Sequence, residues 1–347
     1  MPDYPIQIGD QALTQLTSWL EGASFSQLLV LDDTHTHQHC YPKLVPHLPA
    51  HAVHTVPAGE QHKHWQTCMD IWQAMTDLAL DRKALVLNLG GGVMGDMGGF
   101  AAATYKRGLD FIQIPTTLLA MVDASVGGKL GIDFEGYKNH IGLYREPLGV
   151  YIFPPFLGTL PAEEVRSGLA EVIKHHLIAD AAAWPQLRHQ TDLHALALEP
   201  IIRHSVQIKA DIVAADPQER GLRKALNFGH TIGHALETLR LASPHPLLHG
   251  EAIAVGMIAE AFLSQQRGLL STEALADVTE YLRTIYPAVS LDEADIDPII
   301  QLAYHDKKNE GGQILCTLLA GIGHAAVNQP IVPADIRAAL RYYAQTG

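Results

Sequence analysis

The residues best suited to chemistry are histidines and carboxylates set among glycines. His230 and His234 fall four apart in Asn227-Phe-Gly-His-Thr-Ile-Gly-His-Ala-Leu-Glu237, so on a helix they share one face. His249-Gly-Glu251 follows, and Ala170-Glu171-Val-Ile-Lys174 precedes, with Glu171 and Lys174 again on one helical face. Two imidazoles and one carboxylate leave an open position on a zinc ion, the arrangement of a catalytic rather than a structural centre. With 20 histidines in the chain, a histidine by itself means little, and it is the glycine-flanked context that singles out His230 and His249. A rival cluster, His35, His37, His39 and Cys40 with His51, His54, His62 and His64 nearby, has no glycines, carboxylates or lysines converging on it and reads as solvated helix and loop surface.

A second concentration runs from Leu89 to Gly142. The apolar run ending at Leu89 meets Gly90-Gly-Gly92, and a helix-compatible segment follows, so a strand turns sharply into a helix and offers backbone N–H groups to an anion. Val122-Asp-Ala-Ser-Val-Gly-Gly-Lys129 and Lys138-Asn139 follow in what read as glycine-bounded loops. The net charge of −13 argues against a nucleic-acid partner, which normally demands a basic face. Lys129, Lys138, Lys174, Lys209, Arg223, Lys307 and Lys308 nevertheless lie in or beside these motifs, which suits a pocket for a small polyanion.

These groups need a scaffold, and the hydrophobic pattern supplies one. Strands are expected at 26–31, 52–56, 84–89 and 109–114, with helices at 13–20, 64–80 and 93–105 between them. Such alternation gives a Rossmann-like parallel sheet covered on both faces, with ligands at the carboxyl ends of the strands. A dinucleotide is the natural ligand there, although no G-x-G-x-x-G fingerprint is present. Beyond about Pro155 the texture becomes that of long helices, expected at 161–177, 193–215, 222–241, 251–267 and 271–286, with a short strand pair near 314–319 and 323–327. The expected plan is therefore an α/β domain over 1–155 that binds NAD, then an all-α domain over 156–347 that binds metal and substrate. Three scattered cysteines, no long apolar run and no leader-like start point to a cytoplasmic protein without a membrane partner.

Taken in order, Pro57-Ala-Gly-Glu-Gln-His-Lys63, Gly90-Gly-Gly-Val-Met-Gly-Asp96, Pro115-Thr-Thr-Leu-Leu119, Val122 to Lys129, Ala170 to Lys174, Asn227 to Ala235, His249-Gly-Glu-Ala252 and Asp306-Lys-Lys308 resemble the sugar phosphate cyclases. The resemblance spans nearly the whole chain, and its nearest form is the 3-dehydroquinate synthase family of the shikimate pathway. It implies a site in the cleft between two domains. Glu171, His230 and His249 would hold Zn2+ or Co2+. Asp32, Glu60, Lys63, Gly91, Gly92, Val93, Gly95, Asp96, Thr116, Thr117, Asp123, Lys129 and Lys138 would hold NAD. Lys129, Asn139, Asn227, His234 and Lys307 or Lys308 would surround a substrate phosphate, joined by Arg107 from a neighbouring subunit, which implies a homodimer. Lys209 and Arg223 would clasp a carboxylate, and Lys174 would contact other polar groups.

The implied substrate is a small sugar phosphate, 3-deoxy-D-arabino-heptulosonate 7-phosphate. Its hydroxyl at carbon 5 is oxidised by NAD, phosphate is eliminated, the hydride returns, and an intramolecular aldol step closes the ring. Some positions depart from the family pattern. Ala124 and Leu130 stand where serine and threonine are common, Asp133 replaces a frequent asparagine, and His175-His176 replaces an aromatic-glycine pair. Cyclases acting on substrates without a carboxylate should not need Lys209 and Arg223 together. A metal-dependent alcohol dehydrogenase would lack the phosphate cluster.

Overall fold

The computed structural model describes residues 4–193, 196–241, 243, 246–304 and 313–346. The chain divides into two compact units, Met1–Val165 with Ala197–Ala210, and Arg166–Leu196 with Asp211–Gly347. The change of texture near Pro155 falls inside the first unit, to which the chain also returns with the first turns of a later helix.

The first unit contains strands β1 (Ile6–Ile8), β2 (Leu28–Asp33), β3 (Ala52–Val56), β4 (Leu85–Gly90), β5 (Asp110–Pro115), β6 (Lys129–Phe134), β7 (Tyr137–Tyr144) and β8 (Gly149–Ile152). Six of them form a sheet in the order β1-β8-β5-β4-β2-β3, every pair parallel. β2 and β4 are apolar and almost wholly buried, as strands covered on both faces must be. Helices α1 (Ala12–Gly22), α2 (Thr34–His39), α3 (Trp65–Asp77) and α4 (Gly92–Thr104) connect the early strands. Cys68, Ile71 and Met75 of α3 and Met94, Met97 and Phe100 of α4 pack with Leu29, Leu31, Val86 and Phe111 of the sheet. Register places Asp32 beside Leu89 and Gly90 beside Pro115, so the carboxyl ends of β2, β4 and β5 lie side by side.

The antiparallel hairpin β6–β7 replaces the loops expected between Lys129 and Gly142. β7 alternates between exposed and half-buried positions and is rich in polar residues, so cross-strand hydrogen bonding rather than hydrophobic pattern makes it a strand. Lys138 and Asn139 are thus strand residues. β1 and β8 are too short to announce themselves by periodicity.

The second unit is built from most of α5 (Ala162–Ala179), the end of α6 (Leu198–Ala215), and α7 (His230–Leu241), α8 (His249–Gln266), α9 (Thr272–Ile285), α10 (Glu293–Tyr304) and α11 (Pro333–Gln345), with one antiparallel pair, β9 (Ile314–Leu319) and β10 (Ala325–Ile331). α8 is buried along nearly all its length, and α7, α9 and α11 pack around it. The helix expected over 222–241 is broken. Residues Leu222–Asn227 form a 3-10 turn, Gly229 adopts φ +80°, and α7 starts afresh at His230. Gly229 is required there twice over, because a side chain would strain that φ and would strike Met257 at 2.6 Å. No helix among the described residues is long and apolar enough to cross a membrane.

Candidate active site

In the first unit the Gly90–Gly92 turn delivers the chain from β4 into α4, whose N-cap Gly91 has no side chain to cap the first-turn N–H groups, an arrangement suited to an anion. Thr116 donates its backbone N–H to Gly90 O at 3.0 Å, and Thr117 Oγ1 caps Ala120 N at 3.2 Å, so the end of β5 is fastened beside that turn. Val93 and Gly95 lie in the first turn, and Asp96 follows them. Lys63 is buried and donates to Asp96 Oδ2 at 2.7 Å and Asn139 Oδ1 at 2.6 Å. Burial would lower the Lys63 pKa, but Asp96, Glu60 and Asp133 outweigh it and hold the ammonium above its ordinary range. Lys138 pairs with Glu60 at 3.1 Å. Asn139 has φ +51° and donates its N–H to Asp133 Oδ1 at 2.7 Å, so the carboxylate that replaces a frequent asparagine holds a strained backbone in place. Lys209 lies 2.8 Å from Asp123 Oδ1. Lys129 opens β6 and is half-buried.

Asp32 is fully buried. Its two oxygens take Thr55 Oγ1 at 2.6 Å and His37 Nδ1 at 2.8 Å, and burial nevertheless leaves its pKa above the ordinary carboxylate range. His37 is therefore engaged with a carboxylate. Among the described residues, no metal-capable group includes His35, His37 or His39. Arg107 is exposed in a turn where Lys106, Arg107 and Gly108 all have positive φ, a costly conformation for the two side-chain-bearing residues.

In the second unit Glu171 of α5, His230 of α7 and His249 of α8 converge. Glu171 Oε1 stands 3.5 Å from Nε2 of His230 and 3.5 Å from Nε2 of His249. An ion held tetrahedrally at ~2.0–2.1 Å puts neighbouring ligand atoms about 3.4 Å apart, close to both carboxylate–imidazole separations, and all three ligand atoms lie within 4.8 Å of one another. Each ligand is oriented from behind. His230 Nδ1 meets Phe228 O at 3.0 Å and His249 Nδ1 meets Glu237 Oε2 at 3.3 Å, which leaves both Nε2 atoms as the natural donors, while Lys174 pairs with Glu171. Burial alone would lower the His249 pKa. Glu237 and Glu171 more than reverse this and hold it at about 9, the mark of a pocket that favours positive charge.

Close helix crossing brings these groups together. A Cβ on Gly250 would lie 2.2 Å from Ser167 O, and Gly250 N donates to Ser167 Oγ at 2.9 Å, which sets α8 against α5 one residue from His249. A second metal-capable group, His234, Glu237 and His249, shares His249 with the first. His234 is half-buried, its ring centroid 4.8 Å from that of His230. Arg223 is buried to 1% exposure in the 3-10 turn, with Nη1 on Pro217 O at 2.8 Å, and Asn227 Nδ2 donates to Glu219 at 2.8 Å. Lys307 and Lys308 lie outside the described residues.

Two family models match the chain, 3-dehydroquinate synthase N-terminal over residues 53–167 and 3-dehydroquinate synthase C-terminal over 168–309. The chain belongs to the 3-dehydroquinate synthase family. It is 40% identical to the 3-dehydroquinate synthase of Parabacteroides distasonis over 100% of this chain and 99% of that protein. Among solved structures it resembles a 2-epi-5-epi-valiolone synthase from Streptomyces hygroscopicus with NAD+ and Zn2+ bound, at 28% identity and TM-score 0.87 over 100% of this chain and 98% of that one. It also resembles a 2-deoxy-scyllo-inosose synthase complexed with carbaglucose-6-phosphate, NAD+ and Co2+, at 25% identity and TM-score 0.85 over 97% and 96% of the two chains. For a 3-dehydroquinate synthase relative, the site residues missed from sequence are those behind the ligands. Glu237 follows His234 by one helical turn and could have been found from that spacing. Glu219, Asp133 and Thr55 carry no such signal, since only folding brings them to their partners.

Proposed function

We propose that this chain converts 3-deoxy-D-arabino-heptulosonate 7-phosphate into 3-dehydroquinate and phosphate, as a cytoplasmic homodimer using NAD and one divalent cation. The observation that carries the reading is the convergence of Glu171, His230 and His249, their ligand atoms within 4.8 Å of one another, in a chain matched end to end by a 3-dehydroquinate synthase. When bound, NAD accepts and returns a hydride, and the cation acidifies the reacting hydroxyl and polarises the ketone.

The chain's own groups do the rest. Residues 1–155 carry the nucleotide half, where the first turn of α4 binds the pyrophosphate and Glu60, Lys63, Asp96, Thr116, Thr117, Asp123 and Lys138 position the remainder, with Asp32 anchoring the end of β2. Residues 156–347 carry the metal and most substrate contacts. Lys129, Asn139, Asn227, His234 and one of Lys307 and Lys308 cradle the phosphate and stabilise it as it leaves, with Arg107 reaching in from the neighbouring subunit. The departing phosphate takes the proton from the acidified carbon. Lys209 and Arg223 hold the substrate carboxylate, for which the planar guanidinium is suited. Lys174, paired with Glu171, contacts the substrate's polar groups.

The deciding assay follows phosphate release from the heptulosonate phosphate with catalytic NAD. Many phosphates per NAD with no net NADH is the expected result. NADH accumulating in step with turnover would mean a dehydrogenase. Preference for sedoheptulose 7-phosphate or glucose 6-phosphate would mean a different cyclase.

A further inference from the structure

Glu260 sits on α8, three turns beyond His249, and is wholly buried. Its carboxylate reaches across to the chain entering α7, where Oε2 accepts Gly229 N–H at 2.6 Å and Oε1 accepts Thr231 N–H at 3.0 Å and Ile232 N–H at 3.2 Å. These are donors at a helix start, which have no partner within their own helix. Helices usually satisfy them with a side chain a residue or two upstream, but Phe228 and Gly229 have none to offer. Glu260 supplies the cap from another helix, and its negative charge meets the positive end of the α7 dipole.

The position of the cap matters more than its strength. The peptide N–H groups it holds flank His230 on both sides, and Phe228 O, just before them, fixes the His230 ring through Nδ1. The same crossing leaves no slack, because a Cβ on Gly256 would lie 1.9 Å from Gly229 O. We propose that Glu260 is a positioning residue for the metal centre, which holds the 229–232 backbone so that His230 Nε2 stays in register with Glu171 and His249. The proposal rests on the reading of those three residues as the metal ligands.

The test is Glu260→Gln, whose amide keeps the shape but loses the charge and turns an NH2 group towards backbone donors. Zn2+ affinity of the purified protein should fall about tenfold or more, in the range seen when groups behind a ligand are removed. The visible absorption bands of the Co2+-loaded variant should shift, since His230 would be misplaced. Glu260→Asp, which keeps the charge and shortens the reach, should fall between parent and Gln variant and provides the measurement if the Gln variant does not fold. Parental Zn2+ affinity and a parental Co2+ spectrum, in either folded variant, would overturn the proposal and leave Glu260 a helix cap of stability alone. Glu171→Gln separates the two readings. Undiminished metal binding in that variant would show that the ligand assignment had failed, whatever Glu260 does.

Discussion

Replacing Glu237 by glutamine tests whether the centre depends on the shell behind its ligands. Glu237 is buried and its Oε2 lies 3.3 Å from His249 Nδ1, on the far side of the ring from Glu171. Glutamine preserves the shape and an acceptor oxygen but removes the charge. A hydrogen bond to a charged group contributes ~1.5–3 kcal/mol and a neutral one ~0.5–1.5 kcal/mol, so the exchange should cost about 1–1.5 kcal/mol. At ~1.36 kcal/mol per decade, that is about a tenfold loss of Zn2+ affinity. Glu237→Ala, which leaves Nδ1 without its partner, should lose about a hundredfold. Competition with a chromogenic chelator gives both dissociation constants, with thermal melting of the metal-free proteins to separate folding from binding. An unchanged constant in Glu237→Gln would refute the orienting role. A loss as large as that in Glu171→Gln would instead make Glu237 a ligand, through the alternative group with His234 and His249.

Arg223→Lys keeps the charge but not the planar fork, and should raise KM for the heptulosonate phosphate about tenfold, one charged hydrogen bond, with NAD affinity and metal content unchanged; a parental KM would remove the carboxylate role. Lys63→Met leaves Asp96 without its buried partner and should destabilise the protein by about 3–5 kcal/mol near neutral pH. Because the folded Lys63 pKa is raised, its contribution is complete below the unfolded value of 10.5 and is lost as pH rises through the folded value, so melting curves of parent and variant should draw together in strong alkali, and also in acid, where Asp96, whose carboxyl burial holds above its ordinary range, takes up a proton; a gap that closes near neutrality would contradict the pairing. Burial pushes the Cys40 thiol up to about 11 and the Cys68 thiol up to about 12, and all three cysteines are buried and unbridged. Iodoacetamide at about pH 8 should therefore leave the native protein unlabelled and modify all three after unfolding, as read by intact mass.

Much of the fold was legible along the chain, and so were the residues proposed as metal ligands. β2, β4 and β5 are apolar runs separated by helical periods, and such runs can be buried only as central parallel strands, so the sheet follows from local pattern. The pair His230 and His234, and His249 beside Gly250, stand out because metal ligation and close helix approach each demand a particular residue at a particular spacing. The β6–β7 hairpin was not legible, because its strands are held by pairing with each other and carry little hydrophobic alternation. Nor was the break before α7, since Leu222 to Leu241 reads as continuous helix, whereas in the folded chain Gly229 takes φ +80° and packs against Met257.

The sequence by itself determined which groups are available: the candidate cation ligands, the glycine turn before α4, the lysines set within the motifs, and the alternation that makes a parallel sheet. Those depend on residue type and near neighbours, and short-range physics suffices to read them. Tertiary structure alone decided what stands behind each of those groups. Glu237 meets His249, Glu260 caps the helix of His230, Asp133 holds Asn139, and Asp32 is enclosed by Thr55 and His37. A carboxylate's partner across a helix crossing or a hairpin leaves no periodic trace in the chain, because the contact is created by the packing of elements and not by the spacing within one.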